Sequence, residues 1–170
     1  MDLSALGTDI ERVVVSEEQI QNRLKELADQ VNKDYAGRDL ILVGVLKGAI
    51  MAMADFSRHL QRHVDMDWMA VSSYGAGTKS SGVVRILKDL DSDILGREVL
   101  IVEDILDTGL TLSWLTENLL SRGAKSVSVL TVLRKPDAAT VKVEAKYVGF
   151  DIPNEFVVGY GLDFNQKYRN

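Results

Sequence analysis

One segment constrains this chain more than any other: Val99-Leu100-Ile101-Val102-Glu103-Asp104-Ile105-Leu106-Asp107-Thr108-Gly109-Leu110-Thr111. Four apolar residues in a row, with no polar alternation, mark a strand buried on both faces, which is the habit of parallel strands covered by helices. Three carboxylates then fall within five residues. They belong to the carboxyl end of that strand, where open α/β sheets place their ligands. Gly109 allows a sharp turn and a close backbone approach. The unpaired N–H groups of the helix that follows, predicted over about Thr111 to Arg122, combine with the hydroxyls of Thr108 and Thr111 into a cradle for a phosphate, with no basic side chain required. The spacing of a P-loop is absent. Strand alternation sends Glu103 and Asp104 to opposite faces, so they need not serve one partner. Such carboxylates accept hydrogen bonds from the vicinal hydroxyls of a ribose, or hold Mg²⁺ directly or through its waters.

The rest of the chain repeats the strand–helix rhythm. Ser16 and Gln19 have capping-box spacing and open a helix over about Ser16 to Ala36, with Ile20, Leu24, Leu27, Ala28, Val31 and Tyr35 on one face and Gly37 suited to C′. A second buried strand is predicted at Leu40–Val45, followed by Lys47-Gly48 and a helix from Ala49 to about Arg62. Further strands are predicted at about Trp68–Ser73 and Val127–Leu133. Strand alternating with helix means a parallel sheet with right-handed crossovers. The rhythm breaks between Ser73 and Glu98. There Tyr74-Gly75-Ala76-Gly77-Thr78-Lys79-Ser80-Ser81-Gly82 precedes a short strand at Val83–Leu87, and the small residues read as a mobile flap on a strand pair.

Composition sets the outer bounds. A chain of 170 residues with only two prolines and no repeat reads as one domain, 1–170. The absence of cysteine excludes a disulfide framework and thiolate metal sites. No apolar run reaches the ~20 residues that span a bilayer, and Met1-Asp2-Leu3-Ser4 has no secretory pattern, so a cytoplasmic protein without a membrane partner is expected. Twenty Lys and Arg against 25 Asp and Glu give a net charge of −5, which disfavours a nucleic-acid-binding face. His59 and His63 are four apart on a helix, but no third ligand accompanies them. Trp68 and Trp114 read as packing residues.

With its Asp-Thr-Gly-x-Thr turn behind two acids, the central segment resembles the phosphoribosyl pyrophosphate-binding motif of the type I phosphoribosyltransferases. Leu110 stands where that motif often has Lys, a difference of little weight if the backbone N–H makes the contact. Val45-Leu46-Lys47-Gly48, Ser72-Ser73-Tyr74-Gly75, Leu133-Arg134-Lys135-Pro136 and the run from Val148 to Asp163 resemble the hypoxanthine-guanine phosphoribosyltransferases, over about Val13 to Arg169. The resemblance implies an α/β fold with a parallel central sheet flanked by helices, a small hood made by the chain ends, and a flexible flap. It implies transfer of phosphoribose from phosphoribosyl pyrophosphate to a 6-oxopurine base, with Mg²⁺, in a homodimer or homotetramer.

The same resemblance assigns residues. Asp107 becomes the general base or proton relay near N7 of the purine. Lys135 becomes the donor to O6. Phe156 stacks on the base and the Val157 backbone meets its edge. Glu103, Asp104 and Asp163 become the Mg²⁺ and ribose carboxylates. Lys47 and Gly48 form the pyrophosphate loop, whose Leu46–Lys47 peptide is often cis in the family. Thr108, Gly109, Leu110 and Thr111 hold the 5′-phosphate. Ser73 and Tyr74 begin the lid, and Arg169 contacts pyrophosphate. Two other readings compete. One is a nucleotide-sensing, RNA-binding regulator of the same fold, which needs a basic face. The other is an enzyme of the same chemistry that prefers xanthine or guanine.

Overall fold

The capping box at Ser16 forms as its spacing predicts. In the computed structural model, which describes residues 9–73 and 84–170, the Gln19 N–H donates to the Ser16 hydroxyl and the Ser16 N–H donates to the Gln19 side chain. Helix α1 (Glu17–Asp34) runs from that cap and buries Ile20, Leu24, Leu27, Ala28 and Val31. Tyr35 is its C-cap, so C′ is Ala36, and Gly37, at φ 70°, stands one position beyond the C′ place expected for it.

The remaining elements follow in order: β1 (Leu40–Leu46), α2 (Ile50–His59), β2 (Asp65–Ser73), β3 (Val84–Lys88), β4 (Glu98–Leu106), α3 (Leu110–Ser121), β5 (Ser126–Arg134) and β6 (Tyr147–Asp151). The strands form one sheet in the order β3-β2-β1-β4-β5-β6. Every neighbouring pair is parallel except β2 with β3. From β1 the chain crosses through α2 to β2 on one side, and from β4 it crosses through α3 to β5 on the other. The strand order therefore reverses between β1 and β4, and ligands of open sheets bind outside the carboxyl ends at such a switch point.

The apolar runs lack alternation because both faces of the sheet are covered. Leu40, Leu42, Leu100, Val102, Leu130 and Val132 pack with α1 and α2 on one face. Ile41, Val43, Val99, Ile101 and Val129 pack with Leu112, Leu115 and Leu119 of α3 on the other. Trp68 lies directly across from Gly44, where a Cβ would fall 2.5 Å from the indole ring. Trp114 packs on the α3 face, so both tryptophans are packing residues.

Several boundaries differ from the sequence reading. β4 does not stop at Val102. Its pairing with β5 continues through Glu103 opposite Thr131 and Leu106 opposite Arg134, so the first two acids lie inside the strand. Charge marks where a strand leaves the core, whereas backbone pairing decides where it ends. Helix α2 ends at His59, because Leu60 is extended. β6 was not expected as a strand. It pairs with β5 from Tyr147 to Asp151, and its Gly149 is required because a Cβ there would fall 2.2 Å from the Val132 carbonyl oxygen. The two chain ends meet: Arg12 pairs with Glu155 at 2.6 Å and the Tyr168 hydroxyl donates to Asp9 at 2.7 Å. The flap expected after Ser73, including Tyr74, lies outside the described residues.

Candidate active site

A cleft of about 370 Å³ opens at the switch point. Its floor is the carboxyl ends of β1 and β4, one wall is the β1–α2 loop at Lys47 and Gly48, and the other wall is the C-terminal segment from Phe156 to Arg169. Eleven of the residues singled out by sequence line it: Lys47, Gly48, Glu103, Asp104, Asp107, Thr111, Lys135, Phe156, Val157, Asp163 and Arg169. A smaller cavity of about 120 Å³ adjoins it and adds Thr108 and Gly109. Gly109 is the N-cap of α3 at φ 84°, a backbone state that L side chains rarely adopt. A Cβ there would fall 2.7 Å from the Val141 carbonyl oxygen. No side chain caps α3, so its first N–H groups face this cavity unclaimed by a cap. Leu110 is the first helical residue and lines neither cavity.

The two acids of β4 sit in unusual surroundings. Glu103 Oε2 is sealed from solvent and has no hydrogen-bond partner. Desolvation, with the Asp104 charge beside it, holds its carboxyl well above the ordinary range. Asp104 is buried, and its Oδ1 accepts from the Ile105 N–H at 2.8 Å. Desolvation pushes its pKa up to about 6. Asp163 pushes the same way, while backbone N–H groups and Arg169 pull it down. Its Oδ2 lies where a Cβ on Gly48 would come within 1.9 Å. Glycine at 48 is therefore a steric requirement of the Asp104 carboxylate. The helix does not open at Gly48, as the sequence suggested, since Ala49 is the N-cap and Ile50 the first helical residue.

At the other end of the cleft, Lys135 Nζ lies 3.5 Å from Asp107 Oδ2, the lysine side chain being only 8% exposed. Its N–H donates to the Leu106 carbonyl at 2.9 Å, which ties the end of β5 to the end of β4. The Phe156 ring is 74% exposed and meets the Phe164 ring edge to face, with centroids 5.9 Å apart. The C-terminal wall is built from two tight turns. Gly159 and Leu162 bond each other, as do Phe164 and Lys167, and Tyr160, Gly161, Asn165 and Gln166 all have positive φ. Arg169 pairs with Asp163 at 2.7 Å, and Lys47 donates to the Gln166 side chain at 3.0 Å. The Leu46–Lys47 peptide is cis.

A profile of the phosphoribosyl transferase domain matches residues 16–165. The chain belongs to the phosphoribosyltransferase family. Among its relatives, a hypoxanthine-guanine phosphoribosyltransferase of Mycobacterium tuberculosis is 56% identical over 95% of this chain and 83% of the relative. One from Streptococcus thermophilus is 51% identical over 97% of this chain and 92% of the relative. The crystal structure of a hypoxanthine phosphoribosyltransferase from Staphylococcus aureus superposes with a TM-score of 0.95 at 49% identity, covering 100% of this chain and 92% of that one.

Against that family background, the placements read as follows. The Asp107–Thr111 turn and the Lys47–Gly48 loop meet at one cleft and the cavity adjoining it. Ser73 is the last residue of β2, paired through its backbone with Val84. Glu103, Asp104 and Asp163 all line the cleft, yet no group of three or more His, Asp or Glu side chains converges on one point among the described residues. Phe164 and Gln166 were missed by sequence reasoning. Their signal is their place in the turn after Asp163, which carries one side chain toward the Phe156 ring and another to Lys47. His63 is exposed and His59 half-buried, with no metal-binding group around them among the described residues. No helix is long and apolar enough to cross a membrane among those residues.

Proposed function

We infer that this phosphoribosyltransferase serves purine salvage: it joins N9 of hypoxanthine or guanine to the anomeric carbon of phosphoribosyl pyrophosphate and releases pyrophosphate. One observation carries the reading. A buried lysine and a carboxylate 3.5 Å apart share a cleft with an exposed phenyl ring, which is a donor, an acceptor and a stacking surface for a planar oxo-base. The names of the relatives support the same base class.

The chemistry follows from the residues. The Lys135 ammonium donates to a carbonyl at C6 but finds no acceptor in the amino group of adenine, and a buried donor left unpaired is costly. As N9 attacks, the C1′–N9 bond forms, the bond from C1′ to the pyrophosphate oxygen breaks, and the N7 proton passes to the Asp107 carboxylate. Lys47, Arg169 and the Gly48 N–H, just ahead of α2, face the charge that accumulates on pyrophosphate. Thr108, Gly109 and Thr111, with the first N–H groups of α3, hold the 5′-phosphate. Phe156 and Val157 hold the base, and Ser73 and Tyr74 start the lid.

The acids fit a hard divalent cation. Two carboxylates, one buried with its pKa raised by desolvation and by its neighbour, gain most from a positive charge between them. Two or three protein oxygens plus those of a diphosphate and waters suit Mg²⁺ better than a closed protein cage would. Asp104 and Asp163, with Glu103 behind them, are the residues that would hold it. When bound, Mg²⁺ offsets charge on the diphosphate. We read the chain as one domain acting on small molecules in the cytoplasm, as a homodimer or homotetramer, and sedimentation at micromolar concentration decides the last of these.

A steady-state comparison of hypoxanthine, guanine, xanthine and adenine with phosphoribosyl pyrophosphate tests the reading. Turnover of hypoxanthine or guanine is expected to exceed that of adenine by at least about 10²-fold, and Lys135→Ala should erase most of that gap. No turnover with any base overturns it.

A further inference from the structure

Outside the cleft lies a chain of polar side chains that the reaction does not use. Asp55, on α2, accepts from Gln21 Nε2 of α1 at 2.6 Å and from the Tyr160 hydroxyl at 2.8 Å, both at Oδ2. The Tyr160 ring packs against the core shared by α1 and α2. Its backbone has φ 51°, a region a tyrosine rarely occupies. An anchored side chain is what holds the residue there. Desolvation and the bond to Asp55 hold the Tyr160 hydroxyl far above its ordinary pKa, so it remains a donor throughout the working range.

From Tyr160 the backbone leads directly to the diphosphate end. Gly161 lies so close to the pyrophosphate loop that a Cβ would fall 1.8 Å from the Gly48 carbonyl oxygen. The Gly161 N–H donates to the Arg169 carbonyl at 2.7 Å, and the Gly161 carbonyl accepts from the Arg169 guanidinium at 2.5 Å. Arg169 in turn pairs with Asp163 at 2.7 Å. Two cleft residues are thus fixed through Gly161. Lys135, at the base end, has no bond to this chain, and Phe156 meets the turns only through the edge of the Phe164 ring.

We propose that the Gln21–Asp55–Tyr160 chain is a latch that docks the C-terminal turns onto α2 and so sets Arg169 and Asp163 for the diphosphate, leaving recognition of the base untouched. Tyr160 is then a positioning residue for phosphoribosyl pyrophosphate. The inference rests on the phosphoribosyltransferase reading above, and its test separates the two.

Tyr160→Phe keeps the packed ring and removes one hydrogen bond. It should raise KM for phosphoribosyl pyrophosphate about three- to tenfold, with kcat and KM for hypoxanthine within about twofold. Asp55→Asn, which still offers an oxygen to the hydroxyl, should show a smaller rise. Adding Asp55→Asn to Tyr160→Phe should cost less than the two single effects combined, because both break the same bond. A proportional rise in both KM values, a fall in kcat alone, or no change overturns the latch. Calorimetric titration with magnesium pyrophosphate supplies a readout independent of turnover. Affinity should fall in Tyr160→Phe by the same factor. If the wild-type chain turns over no purine but this loss is seen, the latch stands and the transfer reading falls. If the wild-type chain turns over and Tyr160→Phe binds pyrophosphate like wild type, the latch falls.

Discussion

Strand β4 carries a buried acid at each end, and the two are treated in opposite ways. At the amino end, Glu98 is bonded by the Ser126 hydroxyl, approached by Lys125 at 3.2 Å and Arg38 at 3.6 Å, and its carboxyl is held below the ordinary range by those contacts, Ser126 first. At the carboxyl end, Glu103 has an oxygen with no partner, and Asp104 is pushed up to about 6 by desolvation. A protein selected for stability alone would treat both ends like the first. An acid kept dry and under-bonded in a cleft is the physical mark of a group reserved for a ligand. The same strand therefore separates structure from function along its length.

The contrast can be broken in three places. The largest effect is expected just past the strand. Asp107→Asn should lower turnover by about 10²–10⁴-fold with thermal stability unchanged, since Asp107 is half exposed with one long ion pair. Unchanged turnover would reduce Asp107 to a turn residue. Next comes Asp104→Asn. With its folded pKa near 6 against 3.8 for the ordinary carboxyl, the unfolded chain holds fewer protons than the folded one between those values. Wild-type stability without metal should therefore fall as pH rises from about 4 to 6, and stay low above. Asp104→Asn should reduce that slope, leaving the share that belongs to the buried Glu103, and stabilise the metal-free protein at pH 8 by up to about 3 kcal/mol, while impairing pyrophosphate binding. Urea denaturation across pH measures it, and a destabilised variant at pH 8 would contradict the picture. The smallest effect belongs to Glu98→Gln. It should cost about 1–2 kcal/mol at neutral pH, and the cost should disappear in acid, because a depressed carboxyl contributes above its unfolded pKa and loses that contribution as pH falls through the folded one. Kinetic constants should not move. A kinetic change in Glu98→Gln would erase the distinction between the two ends.

Local rules made much of this legible in sequence. The capping box at Ser16, the bare apolar runs of β1 and β4, and the glycine turn ahead of α3 all follow from interactions within a few residues, so spacing was enough to read them. The cleft was legible as a set of residues because motif residues of such sheets gather at strand ends. What stayed hidden depends on partners remote in sequence. β6 exists because β5 offers it an edge, and β4 runs past its acids because Thr131 and Leu133 continue the ladder. The Tyr160–Asp55 bond joins residues 105 apart, and nothing near either announces the other. Gly48 and Gly161 look like ordinary loop glycines until the carboxylate and the carbonyl that press on them are seen.

Those two glycines have a further consequence. The Asp104 carboxylate presses on Gly48, and the Gly48 carbonyl presses on Gly161, two residues before Asp163. The two loops that carry the cleft's phosphate-side residues therefore meet at backbone thickness, a contact with no side chain in it to adjust. An alanine at 161 would drive backbone against backbone, and an alanine at 48 would push the Asp104 carboxylate out of its place.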